Sequence, residues 1–327
     1  MSFRFRNLSL NPFTENDLEE VGALFRDYPH KDFQLQQLDI PKDKMVDFLK
    51  RSLYLNNTNQ ACLRESGRVV GLIGIGALPW MSRLFGAKMY SLRHFLTADR
   101  SQGYFQTMIR YVLDQMPEVD FLDCRVASGD IQAIHALENL GFRFVGNEVY
   151  LARSLTKAEI PEKYGRTGCV PCPDELKSQV LALVEQTHVH NRFMYDPEVT
   201  PEQANNIFRK YVSGIAFKEG FQTLVMETDS VADGFLIYKH NSDLSRAVGG
   251  RYASLDFIGV NNNSQNRGIG ESLNKAALHD LARSGATHVV VRTFASNYPA
   301  IRICHKVGFK ITSSDLHFHR WFRNVNS

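Results

Sequence analysis

Between an apolar run and a helical one, the chain carries Val260-Asn-Asn-Asn-Ser-Gln265-Asn266-Arg267-Gly268-Ile269-Gly270. Two glycines one residue apart let the backbone come close to a ligand and turn several N–H groups toward one point. The positive end of the following helix adds to this, so a diphosphate can sit there without a metal, with Arg267 supplying further charge. The bland reading is a tight turn. Glu271-Ser272 stands where a Walker loop needs Lys-Ser/Thr, and the three-glycine dinucleotide fingerprint is incomplete. Two reactive side chains lie nearby in the pattern. Asp256 precedes the loop on a strand, as a proton acceptor or a solvent-facing charge, and period-two alternation predicts its side chain on the face of Ile258 and Val260. Cys304 lies on a later helix, as a thiol acid or a small buried residue; His305 is about a hundred degrees further round.

The elements that would position these residues occur twice. In the second half the strand Ser254–Val260 is followed by the loop, the amphipathic helix ESLNKAALHDLARSG, the buried strand THVVVRTFAS and a helix from Asn297 through Ala300 to Gly308-Phe309. In the first half Tyr90–Thr97 reads as the strand, DRSQGYF as the loop, QTMIRYVLDQM as the helix and VDFLDCRVAS as the next strand. A helix from Asp130 through Ala133 to Gly141-Phe142 completes it. The closing glycines suit left-handed helix caps. Each half then ends in a strand, FRFVGNEVYLARSL and FKITSSDLHFHRWF, the latter with His317 and His319 on one polar face. Gly71-Leu-Ile-Gly74-Ile-Gly76 reads as a glycine-spaced strand, because no helix follows it directly. The spacing predicts a tandem duplication: residues 1–155, a Pro- and Gly-rich linker at 156–173, and residues 174–327.

Taken together, the loop Gln265-x-x-Gly268-x-Gly270 and the Asn297-x-x-Ala300 helix ending in Gly308-Phe309 resemble the GNAT superfamily of acyl-CoA N-acyltransferases. The resemblance implies a mixed α/β fold with a mixed sheet, two tandem GNAT-like units, the first degenerate. It also implies a co-substrate, acetyl-CoA or another short acyl-CoA. The backbone of Ile258 and Val260 would pair with the pantetheine arm, Gln265, Asn266, Arg267, Gly268, Ile269 and Gly270 would cradle the diphosphate, and Asn297 would contact the arm. Strand carboxylates such as Asp256 activate the amine in several members. Cys304 departs from the pattern, standing where many members have a tyrosine acid. The first half departs further: Arg100-Ser-Gln-Gly103-Tyr-Phe105 puts phenylalanine at the second glycine, which should obstruct a phosphate. The helical stretch with Asn191-Arg192-Phe193 and Asp196-Pro197 looks like acetyltransferases of nucleotide-linked amino sugars. That likeness implies Arg192 and Tyr195 in the acceptor pocket; His188 and His190 could face it or pack.

Composition bounds the alternatives. Hydrophobic residues at 43% and charged residues at 22% give a globular balance, and a net charge of +3 falls short of a nucleic-acid-binding signature. No apolar run approaches a membrane span, so a cytoplasmic protein without membrane or nucleic-acid partners is expected. Cys169-Val-Pro-Cys172 lacks the second pair a zinc site needs, so no metal is expected. The reading is an N-acetyltransferase in which the primary amine of a small-molecule acceptor, a nucleotide-linked amino sugar as the leading choice, attacks the acetyl-CoA thioester directly. The alternatives are another small amine, a protein amine, or a non-catalytic acyl-CoA-binding or scaffold protein. Oligomeric state is not legible.

Overall fold

The computed structural model describes residues 8–54, 58–99, 101–155, 168–187 and 190–322. The first half runs β1 (Leu8–Pro12), α1 (Leu18–Asp27), α2 (Asp32–Gln37), α3 (Lys42–Ser52), β2 (Thr58–Glu65), β3 (Arg68–Ala77), α4 (Pro79–Phe85), β4 (Met89–Thr97), α5 (Gln102–Gln115), β5 (Phe121–Ala127), α6 (Ile131–Asn139) and β6 (Arg143–Ser154). The second half runs β7 (Cys169–Pro171), α7 (Lys177–Gln186), α8 (Pro201–Ile215), β8 (Phe221–Thr228), β9 (Val231–His240), α9 (Ser242–Val248), β10 (Tyr252–Val260), α10 (Ile269–Arg283), β11 (His288–Phe294), α11 (Tyr298–Lys306) and β12 (Lys310–Trp321). The paired helices α6 and α11 are built alike. Asp130 and Asn297 cap them by accepting from the amides of Ala133 and Ala300, at 3.4 Å each. Gly141 and Gly308 follow them at φ +76° and +87°, where a Cβ would strain the backbone.

The described strands form one mixed sheet, in the order β1-β2-β3-β4-β5-β12-β6-β11-β10-β9-β8-β7. Among the described strands only β4–β5 and β10–β11 pair in parallel. The two closing strands are exchanged: β6 pairs with β11 of the second half, β12 pairs with β5 of the first, and β6 and β12 pair with each other at the centre. Both strands are twelve residues long, enough to reach past their own half. Sequence pattern alone gives no register between distant strands, so this exchange was not readable from it.

Two local expectations are corrected. Helix α5 begins at Gln102, inside the stretch read as a loop, so Phe105 is helical and fully buried, its ring 4.6 Å from that of Phe95. Phe105 therefore belongs to the core and not to the loop; Arg100 lies outside the described residues. Cys169–Pro171, assigned to the linker, is an edge strand on β8, while residues 156–167 lie outside the described residues. The closing strand is found as read, and its polar residues His317 and His319 are both buried.

Candidate functional site

The β10–β11 ladder stops at Leu255–Val291, although the strands continue to Val260 and Phe294. Their outer edges stay paired, β10 with β9 as far as Val260–Gly234 and β11 with β6 as far as Phe294–Glu148. A V-shaped cleft therefore opens between them, with Ile258 and Val260 along one edge. At its end the loop is anchored by the amide of Asn261 on the carbonyl of Asp233 (2.8 Å) and of Ser264 on that of Asn261 (2.9 Å). The Gln265 side chain turns back onto Asn262 (2.9 Å). Asn266 and Gly268 have φ of +62° and +80°. The backbone N–H groups of Arg267 through Glu271 find no acceptor among the described residues. Unpaired donors at a helix start are the anion-binding arrangement expected of such a loop. Gly270 has a second duty: a Cβ there would come within 2.9 Å of Ile303, so the glycine lets α10 pack against α11.

The cleft opens into a cavity of about 710 Å³ that brings together Asp256, Ile258, Asn297, Cys304, Arg192 and His190. A register shift between Leu255 and Phe257 breaks the alternation expected for Asp256. Leu255, Ile258 and Val260 all pack in the cluster with α10, whereas Phe257 packs with Phe208 on the α8 side. Asp256 thus leaves the face of Ile258 and Val260 and approaches Lys239 on β9 (3.7 Å), yet still lines the cavity. Burial pushes its carboxyl above the ordinary value, more than Lys239, Ser254 and Arg292 pull it down, and Oδ2 has no hydrogen-bond partner. Burial likewise pushes the Cys304 thiol up to about 11, while His305 is exposed. Asn297 donates to Thr293 (3.0 Å) besides capping its helix.

Arg192 reaches the cavity on an ion pair with Asp123 of β5 (3.0 Å). Tyr195 does not line it; its hydroxyl meets Ser296 at 2.8 Å on an exposed surface. His188 lies outside the described residues. The sequence reading missed the opposite wall, which comes from the first half and the exchanged strands: Trp80, Arg93, Arg125, Glu148 and His317. Burial raises the Glu148 carboxyl, but His317, Arg292 and Arg125 outweigh it and hold it at about 2. Alternating polar residues in two strands read from the sequence, Asp123 and Arg125, and Glu148 and Tyr150, were the available signal. Behind this wall Asp196 joins His319 (2.6 Å) and the Trp321 indole (2.9 Å). Among the described residues, no cluster of His, Cys, Asp and Glu could hold a metal ion, and no helix is long and apolar enough to cross a membrane.

Residues 185–309 match the acetyltransferase (GNAT) family model. SpsD of Bacillus subtilis (strain 168), a spore coat polysaccharide biosynthesis protein, is 24% identical over 289 residues, covering 86% of this chain and 96% of that one. A solved GCN5-related N-acetyltransferase from Sphaerobacter thermophilus shares the fold with a TM-score of 0.63 at 15% identity, over 97% of this chain and 96% of the other. A tandem GNAT protein from the clavulanic acid biosynthesis pathway does so with a TM-score of 0.52 at 16% identity, over 96% and 98%. Residues 185–309 therefore form a domain of the acetyltransferase (GNAT) family, in a chain whose overall fold is shared with a tandem GNAT protein.

Proposed function

We propose that this enzyme moves the acetyl group of acetyl-CoA, or another short acyl-CoA, to the primary amine of a nucleotide-linked amino sugar by direct attack. One observation carries the reading: the free amides of Arg267–Glu271 sit at the end of a splayed cleft that leads to a half-buried carboxylate, Asp256. Acetyl-CoA supplies the thioester. The amides from Gln265 to Gly270 and the Arg267 guanidinium bind its diphosphate, and the free edge of Ile258 and Val260 aligns its pantetheine arm. Asn297, at the head of α11, contacts the arm from the other side.

Asp256 takes the proton that the acceptor ammonium must lose, directly or through a water. Its raised pKa makes it a better acceptor than an exposed aspartate. Cys304 stays a thiol at neutral pH and serves as a hydrogen-bond donor to the departing sulfur rather than as a nucleophile. Arg192 orients the acceptor, and Tyr195 closes the rim through Ser296. The sugar class draws on the likeness to SpsD, whose name places that protein in polysaccharide biosynthesis. Cys304 in place of the family tyrosine favours one rival, a non-catalytic acyl-CoA binder. Thiol release measured with amino-sugar nucleotides, free amino sugars, amino acids, polyamines and peptides separates these. Turnover confined to amino-sugar nucleotides supports the proposal, and turnover with another class replaces the acceptor. Tight acetyl-CoA binding with no turnover on any acceptor selects the rival.

A further inference from the structure

The two halves carry the same splay with different residues at its fork. The β4–β5 ladder ends at Leu92–Cys124, as β10–β11 ends at Leu255–Val291. The second residues of the fork are then Asp256 and Arg292 in one half, but Arg93 and Arg125 in the other. Position for position, the carboxylate is replaced by a guanidinium. The deep end of this second cleft is filled by Phe95 and Phe105, so the arm of a coenzyme has no path through it. Its open end forms a cavity of about 570 Å³, large enough for a small ligand. Leu78, Arg93, Arg125, Arg192 and His317 line both this cavity and the larger one, so the two are continuous.

The second cavity is electropositive. Arg93, Arg125 and Arg192 face it against the single carboxylate of Asp123. Asp123 is engaged by Arg192 (3.0 Å), and Arg125 by Glu148 (3.2 Å) and Asp315 (3.6 Å). Arg93 has no ion pair among the described residues. The glycine-spaced strand β3 explains its placement. A Cβ on Gly76 would come within 3.0 Å of the Arg93 Nε, so the glycine leaves room for the guanidinium over the sheet. Next to it His94 takes φ +50°, in the left-handed region, where the β3–β4 register shifts. Strained backbone of this kind persists at sites that position a group for binding.

We propose that the first half is an acceptor-holding module, in which Arg93, supported by Arg125, binds a phosphate ester of the acceptor while its amine lies beside Asp256. The inference rests on the proposed transferase reading and adds the subsite that reading lacks. Guanidinium forks match phosphate oxygens in pairs, and one unpaired fork beside two partly engaged ones calls for a multiply charged anion.

The test is isothermal titration of the full chain, first saturated with acetyl-CoA so that the Gln265–Gly270 loop is occupied, with inorganic diphosphate in metal-free buffer. Diphosphate should bind the saturated protein, and Arg93→Gln should weaken it about ten- to hundredfold, the worth of a charge-assisted pair. Acetyl-CoA affinity should be the same in both proteins, which also reports that the variant is folded. Titrations with uridine diphosphate and glucose 1-phosphate tell whether the phosphate belongs to a nucleotide or to a sugar phosphate, the tighter ligand naming the source. No diphosphate binding in the saturated protein, equal affinity in Arg93→Gln, or glucuronate binding as tightly as diphosphate would each overturn the phosphate subsite. Failure of the wild type to bind acetyl-CoA would instead overturn the transferase reading.

Discussion

Gly268 offers a substitution in which strain and charge can be separated. Its φ is +80°, and nothing lies within 4 Å of where a Cβ would stand, so a side chain there has room. Asn and Asp enter the left-handed region more readily than other non-glycine residues, and both should lose about 1 kcal/mol of backbone freedom to it. Gly268→Asn and Gly268→Asp therefore share one strain and differ by one negative charge, set among the free amides of Arg267–Glu271. A carboxylate roughly 5 Å from one phosphate charge costs about 2–3 kcal/mol at an effective dielectric of about 20–40. Acetyl-CoA affinity should fall about 30- to 150-fold more for Asp than for Asn. Calorimetric titration at low salt measures this, and the gap should narrow as added salt screens the charge. Equal affinities for the two variants would refute the placement of the diphosphate on these amides.

Asp256→Asn should lower kcat by about 10²–10⁴-fold while leaving acetyl-CoA affinity intact. Because burial raises the Asp256 pKa, its charged form costs folding free energy at neutral pH, so the Asn variant should melt no lower than the wild type at pH 7.5; a fall in Tm would place Asp256 in a stabilising ion pair instead. Cys304→Ser, which still donates, should keep most of the activity, whereas Cys304→Ala should lose about tenfold, the worth of one neutral hydrogen bond. Trapping of an acetylated Cys304 by mass spectrometry would contradict the donor role. Glu148, ordinarily near 4.5 and held at about 2, contributes about 3 kcal/mol above pH 4.5, and this is lost as pH falls from 4.5 toward 2. Glu148→Gln should shift the urea midpoint down at pH 7 and match the wild type near pH 2; a constant difference across that range would assign its effect to packing.

The features legible in the sequence are those whose physics is local. The glycine loop, the capped helix from Asn297 to Gly308 and its twin from Asp130 to Gly141 each announce themselves within a dozen residues, because caps and left-handed turns restrict residue type at fixed spacing. Phe105, read as a loop residue, lies in the helix and packs in the core, because burial of an aromatic ring is not visible in a short polar motif. Hidden from the sequence were features set by register and strand order. The bulge at Asp256 inverted an alternation argument, and the exchange of β6 and β12 carried Glu148 and His317 into a cavity assigned to the other half. Tyr195 was placed in the pocket by likeness alone, and its turn toward Ser296 takes its hydroxyl to the surface.

A crystal structure of the full chain with coenzyme A puts the central claim to the most direct test. The expected result is diphosphate oxygens within hydrogen-bond distance of the amides of Arg267–Glu271, and the pantetheine arm running between β10 and β11 beyond Leu255 and Val291. Coenzyme A bound between β4 and β5, or a loop that stays clear of the diphosphate, would contradict it.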